Sequence, residues 1–137
     1  MNCVVDASVL VSYLHSDDLN HSASRSWFHK QVNGGQMLAA PILLLIEVGA
    51  AVARRTRSSA LGHRAIYNLQ RLPLFRLVPI DHRLGLSASQ LAADLYLRGA
   101  DAVYVALAFE LTLPLVSWDN EQLERASSAI DVLKPNY

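Results

Sequence analysis

The chain has 137 residues, 52% of them hydrophobic, with 12 basic and 12 acidic side chains and one cysteine. That length bounds it to one domain, residues 1–137, able to bury a core of its own, and the composition excludes a disordered chain. Zero net charge gives no overall pull toward polyanions, Cys3 alone cannot form an internal disulfide, and no apolar run approaches the roughly 18 residues of a membrane helix.

The first apolar run, NCVVD, is short and β-branched and predicts a buried strand. ASVLVSYLHS follows with helical spacing, then a DDLN turn. HSASRSWFHKQVN reads as an amphipathic helix that stops at Gly34-Gly35. QMLAA predicts a second strand. Pro41 suits the first turn of a helix through ILLLIEVGAAVARRTR. SSALGHRAIYNLQRL is a further helix, capped by Ser58 or Ser59 and ended by Pro73. LFRLVPI predicts a third strand, and RLGLSASQLAADLYLRG a helix that stops at Gly99. ADAVYVALAFELT is a helix rich in small apolar residues, hence buried. Pro114 breaks it, PLVSW predicts a fourth strand, DNEQLERAS a short helix capped by Asp119, and AIDVLKP offers a fifth strand.

Strands therefore alternate with helices. The expected fold class is α/β, with a central, mainly parallel sheet of four or five strands flanked by helices. No repeat or linker interrupts the pattern. No basic leader precedes the first apolar run, and Asp6 interrupts it. No signal peptide is expected, and a cytoplasmic location is.

Asp6 poses the first chemical question, because an unpartnered carboxylate in an apolar run is costly. In parallel α/β sheets chemistry gathers at the carboxyl ends of the strands. Asp6 ends the first strand, Asp119 follows the fourth, Asp101 opens the helix before the fourth, and Glu47 lies on the helix after the second. Each has an ordinary account. Asp6 and Asp119 suit helix caps, Asp119 with Gln122 as a capping box, and Asp101 suits a helix N-terminus. Glu47 has only Leu43, Leu44, Ala50 and Ala51 at helical spacing and so lacks a local cation. Gathered together, four carboxylates would repel by several kcal/mol, roughly 4 kcal/mol per pair at 4 Å, and a hard divalent cation would relieve this.

Charge is also unevenly placed. Between Val48 and Ile80 lie six arginines and no acid, while the rest of the chain holds all 12 acids against six bases. Arg54, Arg55, Arg57 and Arg64 are the candidate phosphate contacts, with Lys30 and Arg25 as weaker ones. The alternative is a solvated helical face. His15, His21, His29, His63 and His82 show no metal-ligand spacing and are read as non-catalytic.

VVDASVL, LLLIEVGAAVARR, RGADAVYVALA and LVSWDNEQL, in that order over nearly the whole chain, resemble the PIN-domain ribonucleases. They are most similar to the toxin member of bacterial VapBC toxin–antitoxin pairs. The resemblance implies a PIN-like fold and a Mg²⁺- or Mn²⁺-dependent endoribonuclease whose products bear 5′-phosphate and 3′-hydroxyl ends. It implies Asp6, Glu47, Asp101 and Asp119 as metal-binding catalytic residues, with Ser8 and Ser117 orienting a ligand or water beside them. Asn120 and Glu121 follow Asp119 where some members carry a further acid, which leaves the ligand count open. It also implies a VapB-type antitoxin partner, an RNA substrate and a homodimer. Trp27-Phe28 and the SSALGHRAIYNLQRL helix are candidate contacts for either protein partner.

Three other classes compete. A haloacid-dehalogenase-like enzyme wants a second Asp where Ser8 stands and an internal lysine, yet the only lysines are Lys30 and Lys134. A receiver domain wants an acidic pair in place of the single Asp6. A nucleotide-binding fold wants a glycine-rich loop, and GxGxxG and GxxxxGK are both absent. The remaining alternative is a non-catalytic PIN-like partner-binding module or scaffold.

Overall fold

Cys3–Val5 form strand β1, and none of its three side chains reaches solvent. Branched valines favour the pleated, doubly covered position that a parallel sheet offers its central strand. The computed structural model describes residues 1–136. After β1 come α1 (Ala7–Leu14), α2 (His21–Asn33), β2 (Leu38–Pro41), α3 (Leu43–Thr56) and α4 (Ser59–Gln70). Then follow β3 (Phe75–Val78), α5 (His82–Leu95), α6 (Gly99–Leu111), β4 (Leu115–Val116), α7 (Asn120–Ala126) and β5 (Val132–Leu133).

The sheet order is β3-β2-β1-β4-β5, and every pairing is parallel. The α/β architecture anticipated from the alternation is therefore present, with five strands. The chain winds outward from β1 through β2 to β3, then returns to the other side of β1 to lay down β4 and β5. A topological switch point thus falls between β1 and β4, the position at which open α/β sheets form a crevice beyond the strands' carboxyl ends. The register Val5↔Val116 sets Asp6 beside Ser117 at that point.

Helix α6 covers the sheet beneath this crevice. Ala102, Tyr104, Val105, Ala106, Leu107 and Ala108 are all buried, so it is apolar around most of its circumference. Such a helix belongs to the core rather than to an amphipathic surface. Helices α3 and α4 pack closely through small residues. A Cβ on Gly62 would stand 3.1 Å from the Ala53 Cβ and 3.2 Å from the Gly49 carbonyl. The Cys3 thiol is pushed up to about 12 by burial, so it serves as a small apolar residue. No helix among the described residues is long and apolar enough to cross a membrane.

Three local expectations are corrected. Pro41 closes β2, paired with Val78, instead of opening α3. It lies beyond the last β1–β2 pair, Val4↔Ala39, so its missing N–H breaks no ladder on that side. Gly99 begins α6 rather than ending α5, which Tyr96 closes in the left-handed conformation at φ 57°. Trp27 and Phe28 are core residues, 3% and 4% exposed, and so are not surface contacts for a partner. Ser58 caps α4 by accepting the Leu61 N–H, and Asp81 caps α5 by accepting that of Leu84.

Candidate active site

Asp6 reaches the crevice because β1 ends there and α1 starts immediately after it. As the N-cap of α1 it accepts the Ser8 N–H through Oδ2 at 3.2 Å. The same oxygen accepts the Ser117 hydroxyl at 3.0 Å. Asp6 is buried, and burial drives its pKa up against the pull of these hydrogen bonds, with the charge of Asp119 adding a smaller push. No cation pairs with it among the described residues.

Ser117, also buried, ties β4 to this carboxylate. Its oxygen accepts the Asp119 N–H at 3.0 Å, and Ser8 Oγ lies 3.3 Å away. Ser8 in turn accepts the Trp118 N–H at 3.0 Å. A chain of donors runs from the Trp118 amide to Ser8 and on to Ser117, whose single proton is shared between Asp6 Oδ2 and Gln122 Oε1, each 3.0 Å away. The loop carrying Asp119 is also anchored by the Trp118 indole, which donates to buried Ser24 at 2.7 Å.

Asp119 caps α7 by accepting the Gln122 N–H at 3.1 Å. The reciprocal half of a capping box does not form. The Gln122 side chain lies instead between Ser117 Oγ, 3.0 Å from its Oε1, and the Asp101 carbonyl, 3.4 Å from its Nε2. Gln122 is buried and bridges the β4 loop to α6. The capping-box spacing marked this residue but not its actual role.

Asp101 stands in the first turn of α6, half-buried. Its pKa is raised to about 6 by desolvation, then by the charges of Asp6, Asp119 and Glu47, while Arg98 opposes them. Glu47 projects from α3, also half-buried, and finds its hydrogen bond on α6, where the Tyr104 hydroxyl donates to Oε1 at 2.6 Å. Desolvation raises the Glu47 pKa, the Tyr104 bond lowers it, and the Asp6 charge raises it further. Burial, then the hydrogen bond to Glu47 and the charges of Glu47 and Asp6, push the Tyr104 phenol well above its usual range. Tyr104 gave no signal in the sequence beyond an aromatic in an apolar helix.

Charge effects thus connect the four acids: Asp119 bears on Asp6, Asp6 on Glu47, and all three on Asp101. Glu121 is drawn away from them. It pairs with Arg125 at 2.8 Å and with Arg98 at 3.7 Å. The donors of the cluster are all oxygens, which suits Mg²⁺ or Mn²⁺ rather than softer metals. Among the described residues no three His, Cys, Asp or Glu side chains form a ready ligand cage. The fit lies in donor type and in the unbalanced negative charge.

The arginines divide. Arg54 and Arg57 are exposed beyond Glu47 on α3 and at its C-cap, and Arg64 is exposed on α4, all without an ion pair among the described residues. Arg55 leans on Asp18 at 3.5 Å, so it is partly engaged within the protein.

The PIN-domain family profile matches residues 3–128. Compared with curated proteins, the chain has no match. Several solved structures share the fold. VapBC2 from Rickettsia felis, bound to a DNA fragment from their promoter, aligns with TM-score 0.75 at 10% identity over 98% of both chains. FitAcB from Neisseria gonorrhoeae gives 0.71 at 19% identity over 97% of both. VapC20 from Mycobacterium tuberculosis, a sarcin-ricin loop cleaving toxin, gives 0.70 at 16% identity over 94% of this chain and 96% of that one. These likenesses carry the fold, and the profile match, which spans most of the sequence, carries the kinship: the chain belongs to the PIN-domain family.

Proposed function

We propose that residues 1–137 form one PIN domain acting as a divalent-metal-dependent endoribonuclease, the toxin of a type II toxin–antitoxin pair. The observation that carries this reading is that Asp6, Ser117 and Asp119 meet where β1 and β4 end, with the charges of Asp6, Asp119 and Glu47 bearing on Asp101 and Arg98 opposing them. Evolution of a stable core alone gives no reason to gather uncompensated carboxylates beside the central strand.

Asp6, Glu47 and Asp101 would hold Mg²⁺ or Mn²⁺, and Asp119 would complete that site or border a second. Such an ion, when bound, supplies Lewis acidity toward the phosphate and makes water a better nucleophile at neutral pH. The protein's own groups do the rest. Ser117 and Ser8 hold the Asp6 carboxylate in one orientation through the donor chain from Trp118. Gln122 keeps the Asp119 loop against α6. Arg54, Arg57 and Arg64 offer cations to the RNA backbone, with Arg55 a lesser contributor because Asp18 competes for it. The fold neighbours VapBC2 from Rickettsia felis and a toxin-antitoxin complex from Klebsiella pneumoniae support a VapB-type antitoxin as partner, and the family resemblance supports a homodimer and a cytoplasmic setting.

The test is cellular. The chain and its Asp101→Asn variant are expressed separately, and new 5′ ends are mapped across total RNA. The wild type should create a discrete set of ends that the variant does not. Identical maps would remove the nuclease reading. A non-catalytic, partner-binding PIN module is the second reading, favoured by the lack of a ready ligand cage among the described residues. It requires that the protein be indifferent to Mn²⁺ in calorimetric titration.

A further inference from the structure

Glu47 has no basic residue one helical turn away on α3, and no ion pair reaches it among the described residues. Its hydrogen bond comes from α6, across 57 positions of chain, where the Tyr104 hydroxyl donates to Oε1 at 2.6 Å. The Tyr104 ring is completely buried, so the hydroxyl cannot swing to solvent for another partner. A phenol has one proton to give, and here the Glu47 carboxylate takes it.

Tyr104 also shares a helix face with Asp101, three residues earlier. A single rigid helix therefore carries one acid of the cluster and the group that holds another. We propose that Tyr104 is a positioning residue for Glu47: it fixes Oε1 and leaves Oε2 as the atom turned to a cation. This rests on the reading of the carboxylate cluster as a divalent-cation site. An unheld glutamate would sample several rotamers and lose side-chain entropy on binding, whereas a held one has already lost it.

The experiment is Mn²⁺ titration calorimetry on the purified, metal-stripped full chain, with thermal melts of the same samples. Tyr104→Phe keeps the ring and removes the hydroxyl. Its Mn²⁺ affinity should fall about tenfold, the lower end of what loss of a ligand-orienting partner costs. Its metal-free fold should still melt in one cooperative transition, lowered by no more than the several degrees that a lost hydrogen bond to a carboxylate costs. In a Glu47→Ala background, adding Tyr104→Phe should change Mn²⁺ affinity no further, because the two residues act as one unit. Glu47→Asp provides an independent arm: the shorter side chain keeps its charge but loses the Tyr104 contact, and should weaken Mn²⁺ binding similarly.

Unchanged affinity in Tyr104→Phe or in Glu47→Asp overturns the inference. An equal loss with and without Glu47 also overturns it, since Tyr104 would then act on packing. A wild type that binds no Mn²⁺ overturns the metal reading, and the inference with it. A wild type that binds while Tyr104→Phe binds equally well leaves that reading standing and removes the positioning role alone.

Discussion

Ser117 Oγ lies 3.0 Å from Asp6 Oδ2, although 111 positions separate the two residues. The parallel register of β1 and β4 creates this contact, and a one-residue slip would turn Ser117 to the opposite face. Ser117→Ala removes a donor to Asp6 and an acceptor for the Asp119 N–H together. The expected loss of stability is about 1–3 kcal/mol, the cost of leaving buried polar groups unpaired. Urea unfolding of the two proteins measures it, and a difference near zero would mean that neither bond matters.

Asp6→Asn should move stability and metal binding in opposite directions. Burial raises the Asp6 pKa, so its ionised form is disfavoured in the metal-free fold. Asparagine keeps an acceptor oxygen for the Ser8 N–H and is itself a good N-cap. The variant should be more stable than the wild type at pH 7, because it no longer buries an ionisable carboxylate, and should lose the heat of Mn²⁺ binding. Urea melts and calorimetry read the two effects separately.

Stability should also depend on pH in a defined sense. The Asp101 carboxyl has an ordinary value of 3.8 and is raised to about 6 in the fold. Between those values the native state binds more protons than the unfolded chain, so stability falls as pH rises. Glu47 and Asp6 are shifted in the same direction. Melting temperature in metal-free buffer should drop from pH 4 toward pH 6, apart from titrations elsewhere, and Asp101→Asn should flatten that slope. Added Mn²⁺ should stabilise more as the pH rises through 6 and Asp101 gives up its proton. A slope unchanged in Asp101→Asn would count against the shift.

The arginine face yields a separable prediction. Arg54→Glu should weaken binding of a single-stranded RNA oligonucleotide. It should also lower the magnitude of the salt-dependence slope by about 0.7 or more, as expected when a phosphate contact is lost. Mn²⁺ affinity should not change, since Arg54 has no ion pair with the carboxylates. The same change at Arg55 also breaks its pairing with Asp18, so part of its effect should appear as altered stability. Filter binding over a salt series, run beside calorimetry, distinguishes the two positions.

Much of the fold could be read in advance because punctuation and periodicity agreed. Pro73, Pro114 and the Gly34-Gly35 pair separate elements whose hydrophobic period is plain. Pro41 misled because its preference for a first helical turn is statistical, whereas its neighbours Leu38, Ala39 and Ala40 are drawn into the sheet by burial. Gly99 misled for a similar reason. Tyr96 ends α5 in a left-handed conformation that glycine normally supplies, which leaves Gly99 for the next helix. At the site, Asp6, Glu47, Asp101 and Asp119 stood out because charge is rare at the ends of apolar runs. Tyr104 and Gln122 did not, since a buried phenol and a helix amide look alike in any core. Their significance depends on which strand lies beside which, and no local pattern encodes that.

The return of the chain to the far side of β1 has a temporal consequence. A polypeptide emerging from the ribosome offers Asp6 at once, but Asp101, Ser117 and Asp119 only after most of the remaining sequence has been translated. The nascent segment therefore cannot bring the four acids proposed as the site together while it is still short. Whatever potency the finished molecule has is withheld from its own synthesis by the order in which its strands are laid down.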